Sequence, residues 1–272
     1  MKLSGAVRFA FAARAPDEVL DLEELTIGVA CLGDAKLDFA AVSAELDRLA
    51  DEVRDQVSLS APPDRLAAQL ASAFGGTLGF RGDPGAYSDP ALSYLNVVLE
   101  RRRGMPILLS VVWMLLGKRL GVPIHGIGYP GHFLVCVDLP GARVYVDPFN
   151  GGEVREARAL LERLPTPRGS TDTARRMMEP VGVRLIIARM LTNLKNLWID
   201  QGAHAEALAA VDRILLVNGE NASEVRERAL LLLHLARPAE AARDLRRYLV
   251  LEPLAADRAM MEQLLERATE SS

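Results

Sequence analysis

The fold is decided by residues 100–152, which read ERRRGMPILLSVVWMLLGKRLGVPIHGIGYPGHFLVCVDLPGARVYVDPFNGG. The apolar run over 106–120 begins with Pro106 and is followed by Gly121, which predicts a helix with proline in its first turn and glycine at its end. Short runs of apolar and β-branched residues then cover 124–129, 132–139 and 143–146, with Pro-Gly pairs between them. Pro-Gly is a strong turn signal, so the stretch predicts a buried helix followed by an antiparallel meander.

Two polar residues of this meander need a particular reason for their positions, His132 at the start of one predicted strand and Asp147 at the end of the next. A helix, a strand with His and a strand with Asp follow the order of a papain-like or transglutaminase-like core. There a cysteine at the helix N-terminus attacks, the His moves the proton and the Asp fixes the His tautomer. We therefore expect a hydrogen bond between His132 and Asp147. The alternatives are a structural His bonded to backbone and an Asp that only caps the following loop.

The position of the nucleophile in this pattern is occupied by Pro106. The first hydroxyl of the helix, Ser110, comes about one turn later, where it is expected to bond back to the carbonyl four residues earlier. Cys136 lies on the predicted strand of His132 but on the order of 13 Å away, and Cys31 has no catalytic neighbour in sequence. The triad therefore lacks its nucleophile. Residues predicted to border the cleft are Pro106, Ser110, Tyr129 and Asn150.

An ordered set of motifs resembles the SirB-type family of bacterial proteins, in which a transglutaminase-like domain precedes tetratricopeptide repeats. The resemblance extends over about residues 33–257, and in this family proline replaces the nucleophile. It implies an α+β fold with a papain/transglutaminase-like core, a helical N-terminal part and an all-α repeat segment, and it implies no assigned reaction. The matching motifs are Tyr94-Leu95-Asn96, Arg102-Arg103-Gly104-Met105-Pro106, Leu120-Gly121-Val122-Pro123, Pro130-Gly131-His132-Phe133-Leu134-Val135 and Asp147-Pro148-Phe149-Asn150-Gly151-Gly152.

Composition limits the possible functions. The chain has 272 residues, 50% of them hydrophobic, and a formal net charge of −4. This is enough for two domains, and the charge predicts neither a nucleic-acid nor a membrane partner. Two cysteines in apolar surroundings favour a reducing compartment, and no run reaches the ~18 apolar residues of a membrane span. Arg8 interrupts the N-terminal apolar run, which is too short for an export signal, so a cytoplasmic location is predicted.

The segment before residue 100 is predicted to be mostly helical, with helices that begin near residues 16, 39 and 64. Residues 75–89 are expected to form an ordered loop anchored by two aromatic side chains, Phe80 and Tyr87. A further helix is expected to begin at Asp89-Pro90.

The C-terminal part shows an internal repeat. Residues 201–207, QGAHAEA, align with residues 235–241, LARPAEA, at an offset of 34 residues, which is the tetratricopeptide period. Ala207 and Ala241 fall where the helices of a repeat pack closely. About two units fit between residues 183 and 252, with a capping helix after them. Because two repeats are few for a free-standing solenoid, we expect them to pack on the first domain.

The segments between the core and the repeats suggest a domain boundary. Residues 153–164 predict one more helix, and residues 165–170, PTPRGS, predict a linker. We therefore predict a transglutaminase-like domain over residues 1–170 and a repeat domain over residues 171–272.

No metal or cofactor site is predicted. The four histidines form no His-x-His or His-x-x-x-His pair, and two isolated cysteines do not make a zinc site. The glycines near residue 80 lack the spacing of a phosphate-binding loop.

Arg101, Arg102 and Arg103 have two interpretations. They can be a solvated helix end, where cations meet the negative end of the helix dipole. Alternatively, one of them reaches over the cleft of His132 and Asp147 and binds a carboxylate or carbonyl. In either case, at least one is expected to have a buried acidic partner, Asp83 or Asp89.

The leading interpretation is a non-catalytic module whose cleft or repeats bind a peptide or protein partner. The alternative is a cysteine-less hydrolase or acyl-transferase in which His132 and Asp147 activate water or a nucleophile from another chain. A third interpretation is a scaffold for the repeats alone. The sequence favours a protein without catalytic activity, but it does not decide between these interpretations. An open cleft with an exposed His132 would be compatible with the enzyme, and a cleft filled by Met105, Trp113 or the 75–89 loop would favour the other two.

Overall fold

The computed structural model describes residues 3–139, 141–164 and 171–270, so the predicted linker at 165–170 lies outside the described residues. The N-terminal part is helical, as predicted. Its α-helices are α1 (Gly5–Ala12), α2 (Leu22–Ala30), α3 (Phe39–Val53), α4 (Pro63–Leu70) and α5 (Leu95–Arg101).

Two of these helices begin later than the sequence predicted. The helix expected near residue 16 is a 3-10 turn, Asp17–Val19, followed by α2. Asp21 caps α2, because its side chain accepts hydrogen bonds from the backbone N–H groups of Glu23 and Glu24. Asp is a better N-cap than the proline at the predicted start. The helix expected at residue 89 likewise begins as a 3-10 turn, Pro90–Ser93, and becomes α5 afterwards.

The connection from α4 to α5 is ordered, but only one of its predicted anchors is buried. A π-helix, Ala71–Thr77, continues α4, and β1 (Arg81–Gly82) pairs in parallel with β2 (Arg103–Gly104). Phe80 is fully buried, whereas Tyr87 is 57% exposed, so the prediction that Tyr87 is an anchor is wrong. Tyr87 ends the 3-10 turn Pro84–Tyr87, and this places its ring at the surface.

The predicted central helix is present as α6 (Pro106–Leu120), with Pro106 in its first turn and Gly121 in the left-handed conformation at its end, φ 74°. Its side chains are apolar on almost every face, which is the pattern of a helix buried on all sides. It lies between α3 and α5 on one side and the sheet on the other. The head of this helix positions the candidate site.

The predicted antiparallel meander is confirmed and has one additional strand. The strands β3 (Ile124–Ile127), β4 (Leu134–Leu139), β5 (Ala142–Asp147) and β6 (Glu153–Arg155) form one sheet in chain order. β4 begins two residues after His132, which therefore lies in the preceding turn. The helix predicted over 153–164 is wrong for its first residues, because 153–155 pair with β5 and satisfy its backbone groups. Helix α7 (Ala157–Glu162) follows.

The C-terminal part is helical and follows the predicted period. Its helices are α8 (Thr171–Arg176), α9 (Val183–Asp200), α10 (His204–Asn218), α11 (Ala222–His234), α12 (Pro238–Leu251) and α13 (Arg258–Glu270). Ala207 and Ala241, at equivalent positions of α10 and α12, are both 0% exposed, as close helix packing requires. A buried ion pair joins α9 to α11, with Lys195 Nζ 3.0 Å from the Glu224 carboxylate.

The first repeat packs on the sheet domain, as expected. Ile186 and Leu191 of α9 and Val211 of α10 belong to the same hydrophobic core as α2 and α6. The chain just before α9 also bonds to the sheet, because the Val181 N–H donates to the Gly126 carbonyl at 2.9 Å. The boundary at residue 170 stays a prediction, since the core continues beyond it. No helix in the described part of the chain combines the length and the apolar character needed to cross a bilayer.

Candidate functional site

The antiparallel pairing of β4 with β5 brings His132 and Asp147 together. Val135 is opposite Val146, so the residues just before β4 lie beside the end of β5. A turn closed by the His132 N–H, which donates to the Tyr129 carbonyl at 3.0 Å, then aims the imidazole at β5. The expected hydrogen bond is present, with His132 Nε2 3.0 Å from Asp147 Oδ1.

Asp147 is a buried carboxylate surrounded by donors. Besides His132 it accepts from the backbone N–H of Phe149 at 3.2 Å, from the Asn150 amide Nδ2 at 2.9 Å and from Arg155 at 3.3 Å. Burial works to raise its pKa, but the hydrogen bonds of His132 and Asn150 outweigh burial and hold the pKa at about 2. The carboxylate is therefore ionised at neutral pH.

The ionised Asp147 fixes the tautomer of His132. A carboxylate only accepts hydrogen bonds, so Nε2 of the imidazole carries the proton and donates it. In the neutral ring Nδ1 then holds a lone pair, and it has no partner among the described residues. The His132 side chain is 24% exposed, and its ring meets Phe149 edge-on with ring centres 5.9 Å apart. The arrangement matches a general base with its positioning acid.

A cavity of about 230 Å³ opens between His132 and the head of α6. Two side chains that were predicted as candidates for filling the cleft, Met105 and Trp113, leave this cavity open. Met105 only lines it, and Trp113 lies in the core, 0% exposed and packed edge-on against Phe74. The residues that line the cavity are Tyr87, Met105, Pro106, Ile107, Gly131, His132, Phe133, Arg189 and Asn193.

The lining of this cavity contains no thiol and no aliphatic hydroxyl. Ser110, predicted beside the cleft, is 0% exposed, and its hydroxyl donates to the Phe133 carbonyl at 3.5 Å rather than to its own helix. The predicted bond to its own helix is wrong, because the chain leading into β4 offers the Phe133 carbonyl to that turn of α6. Ser110 does not itself line the cavity. Both cysteines are buried, and burial raises the pKa of Cys136 to about 12 and also raises that of Cys31. Neither thiol lines the cavity beside His132.

Two other predicted residues border the site without lining the cavity. The Tyr129 hydroxyl points away and donates to the Leu160 carbonyl at 2.8 Å, so only the backbone of Tyr129 supports the His132 turn. Asn150 lies behind Asp147 and holds its carboxylate with the side-chain amide. Both residues are hydrogen-bonded to the pair, Tyr129 through its carbonyl to the His132 N–H and Asn150 through its side chain to Asp147.

The arginine cluster lies away from the cavity. Arg101 pairs with Asp89 at 3.3 Å, but both side chains are about half exposed, so the expected acidic partner exists and is not buried. Arg102 pairs with Glu45 at 3.3 Å and covers the Phe80 ring. Arg103 donates to two backbone carbonyls, those of Gly79 and Arg102. None of the three lines the cavity.

The cation beside His132 is Arg189 of α9, which the sequence analysis did not identify. Its Nη2 donates to the carbonyls of His132 at 2.8 Å and Tyr129 at 3.4 Å, and its guanidinium lies 5.3 Å from the centre of the Phe133 ring. Asn193, one turn later on α9, lines the same cavity. The feature of the sequence that could have identified Arg189 was its position inside an otherwise apolar run, residues 186–191. Its proximity to His132, 57 residues earlier, is visible only in the fold.

Comparison with known proteins places this geometry in a family. A model of the transglutaminase-like superfamily matches residues 40–192, and a tetratricopeptide-repeat model matches residues 194–266. A UPF0162 protein of Vibrio cholerae is 30% identical over 222 residues, 79% of this chain and 81% of the relative. The chain belongs to the UPF0162 family of transglutaminase-like proteins. This confirms the resemblance to SirB-type proteins and the α+β fold with helical repeats.

Other UPF0162 members differ in how much of their length the chain matches. A Xylella fastidiosa protein is 38% identical over 180 residues, but these cover only 65% of this chain and 64% of the relative. The YchA protein of Escherichia coli is 23% identical over 192 residues, 70% of this chain and 71% of the relative. No solved structure matches the chain. The superfamily match includes Arg189 and ends one residue before Asn193, so all the lining residues of the cavity except Asn193 lie within the shared region.

No metal cluster accompanies the site in the part of the UPF0162 chain that the structure describes. There, no group of three His, Cys, Asp or Glu side chains is arranged to hold a metal ion. The polar side chains that line the cavity are a phenol, an imidazole, a guanidinium and an amide, and none of them is a carboxylate.

The turn after Asp147 provides a test of the packing behind the site. Gly151 and Gly152 both have positive φ, 69° and 88°. A Cβ at Gly151 would meet nothing within 4 Å, whereas one at Gly152 would lie 2.8 Å from Trp113 and 2.9 Å from Ala71. We expect Gly151→Ala to cost about 1–2 kcal/mol of unfolding free energy from backbone strain alone. Gly152→Ala should cost roughly 3–5 kcal/mol, because overpacking is added.

Urea unfolding of both variants, followed by circular dichroism, measures this difference. Gly151→Ala is the matched control, because it has the same chemistry and backbone region without the collision. Equal losses in the two variants would show that Trp113 does not pack against the turn.

Proposed function

We propose that this protein is a non-catalytic transglutaminase-like protein that binds a peptide or protein partner through the cavity beside His132, with its repeats as a second contact surface. The observation that carries the proposal is Pro106 at the head of α6, facing a cavity without a thiol or aliphatic hydroxyl. Proline supplies no nucleophile. It also removes the backbone N–H of that residue, a donor of the kind that stabilises oxyanions.

The repeats support a binding role because stacked helical repeats form extended concave surfaces used for partner recognition. Helix α9 connects the two candidate surfaces. It contributes Arg189 and Asn193 to the cavity and, through Lys195, pairs with Glu224 of α11. A partner that fills the cavity would therefore contact the same rigid helix that begins the repeat segment. We place the protein in the cytoplasm, where buried unpaired cysteines such as these stay reduced.

The binding proposal is tested with a random peptide library selected against the full chain. Asn193→Trp fills the cavity with a large ring, and Asn196→Trp places the same ring at an exposed position of the same helix. We expect selected peptides to bind the wild type and Asn196→Trp alike and to lose binding to Asn193→Trp. Failure to select any peptide, or equal binding to both variants, would refute the cavity as the binding site.

One observation favours a second candidate function. The bond to ionised Asp147 leaves Nδ1 of His132 without a partner beside an open cavity, which is the arrangement of a general base. The protein would then be a hydrolase or acyl-transferase that activates water or a nucleophile from another chain. Amide and ester substrates incubated with the wild type and with His132→Ala decide between the candidates. Turnover that His132→Ala abolishes would replace the binding proposal, and no turnover above background in either protein supports it.

A further inference from the structure

Arg189 lacks the acidic partners that two other partly buried arginines of this fold have. Arg119 pairs with Glu23 and Asp47, and Arg228 pairs with Asp244. By contrast, the hydrogen bonds of Arg189 all come from Nη2 and go to backbone carbonyls. Its Nε and Nη1 have no partner among the described residues, and no described carboxylate forms an ion pair with it. A guanidinium with unused donors therefore lines the cavity.

The charge of Arg189 is not balanced by an acid. Burial lowers the pKa of Arg189. Tyr87 is close enough to oppose this effect, but its side chain is a phenol and not a carboxylic acid. The guanidinium nevertheless remains protonated in proteins, so the cavity contains a permanent positive charge. Removing such a charge from water costs free energy that a paired anion would offset. This site lacks the anion that the Arg119 and Arg228 sites contain.

A second polar group on the same face of α9 also lacks a partner. Asn193 follows Arg189 by one turn, so the two side chains project from the same side of the helix. Its amide has no hydrogen-bond partner in the described part of the chain and lines the cavity. Two groups with free N–H donors therefore converge on one space, and the positive end of the α6 dipole adds to the potential there.

The size of the space limits the ligand. At about 230 Å³ the cavity is smaller than the 300–1,000 Å³ typical of small-molecule sites, and it suits one side-chain-sized group. We propose that the cavity binds a single carboxylate of a peptide partner, either an Asp or Glu side chain or a C-terminus, held by a free N–H donor of Arg189 and by the Asn193 amide. A hydrogen bond from a guanidinium N–H to a carboxylate is charge-assisted and therefore stronger than one between neutral groups. This inference rests on the proposed binding function and specifies its ligand.

The test changes the carboxylate on the peptide and the arginine on the protein. Peptides selected against the full chain are resynthesised with Asp or Glu replaced by Asn or Gln, and separately with the C-terminal carboxylate amidated. Affinity is measured by isothermal titration calorimetry for the wild type, Arg189→Gln and Arg158→Gln. Arg158 is the matched control, since its side chain is 88% exposed and paired with Glu162 on α7.

We expect one of the two peptide changes to weaken binding about 10- to 100-fold, as for loss of a hydrogen-bonded charge. The change that does so identifies the source of the carboxylate, side chain or C-terminus. Arg189→Gln should weaken the unmodified peptide by a similar factor and should bind the modified peptide no worse than the wild type does. Arg158→Gln should bind like the wild type. The changes in the peptide are measured against the wild-type protein. This part of the test therefore does not depend on any protein variant.

The outcomes separate this inference from the proposed function. Peptides that lose binding to Asn193→Trp but keep full affinity without any carboxylate would overturn the inference and leave the binding function intact. If carboxylate loss matters equally in the wild type and in Arg189→Gln, the carboxylate binds elsewhere and the inference is also wrong. If no peptide binds the cavity, the proposed function fails, and the inference fails with it.

Discussion

Replacing Pro106 by cysteine is expected to create a thiol that iodoacetamide alkylates on the order of ten times faster at pH 6 than an ordinary exposed thiol. The position is the first residue of a 15-residue helix and lines the same cavity as His132. A helix N-terminus and an adjacent imidazolium both stabilise a thiolate, which lowers thiol pKa values to roughly 3.5–7.5 in such sites. The measurement is the alkylation rate as a function of pH, with labelled sites identified by mass spectrometry.

The chain offers clean controls for this experiment. The native thiols contribute little background, since both are buried and the pKa of Cys136 is raised to about 12. Pro106→Ala measures the effect of losing the proline alone. The Pro106→Cys variant combined with His132→Ala should react more slowly at pH 6, because the imidazole that would pair with the thiolate is gone. If the alkylation rate of this thiol has the pH dependence of an ordinary thiol and does not change in His132→Ala, the N-terminus of α6 does not lie beside the imidazole.

That prediction depends on elements that the sequence defines well. The helix over 106–120 and the order of the strands follow from Pro and Gly punctuation and from apolar periodicity, which act over short distances along the chain. The pairing of His132 with Asp147 also follows, because adjacent antiparallel strands bring the start of one beside the end of the other. One error lies where the edge of the sheet decides the structure. Residues 153–155 become a strand only because β5 offers them unpaired backbone groups.

The chemistry of the cavity was harder to predict than its framework. Arg189 lies in a helix that reads as the start of the repeats, and nothing in its local sequence links it to the turn 128–133. The tertiary packing of α9 on the sheet creates the link, through the hydrogen bond of Arg189 to the His132 carbonyl. The prediction named the arginines that are closer to His132 in sequence, Arg101, Arg102 and Arg103. Proximity in sequence to a motif is thus a weak guide to which cation faces a cleft.

The cavity and the pair behind it have different roles under the proposed function. Asp147 satisfies the backbone donors of its own turn, the Asn150 amide and Arg155, so it stabilises the corner where β5 ends even if no proton is ever transferred. His132 fills the remaining acceptor site of that carboxylate and forms one wall of the cavity. A non-catalytic protein therefore has a structural reason to contain both residues. This makes the stability of the pair a direct test.

Asp147→Asn is expected to lower the unfolding free energy by at least about 2 kcal/mol at pH 7, with a loss that depends on pH. The pKa of Asp147 falls from 3.8 to about 2 in the folded protein. A lowered carboxylate pKa stabilises the fold fully above the unfolded value, and the contribution disappears as pH falls through the folded value. The difference between wild type and variant should therefore be constant above about pH 5 and shrink between pH 4 and pH 2.

Urea unfolding of both proteins at a series of pH values measures this difference. Asp51→Asn is the matched control, because Asp51 is 69% exposed and its pair with Arg54 lies on the surface, where such pairs contribute about 0–1 kcal/mol. A loss at pH 7 as small as that of the control would mean that the bonds to His132 and Asn150 do not outweigh the burial of the carboxylate. Asp147 would then not be held ionised behind His132, and the tautomer that leaves Nδ1 free would lose its physical basis.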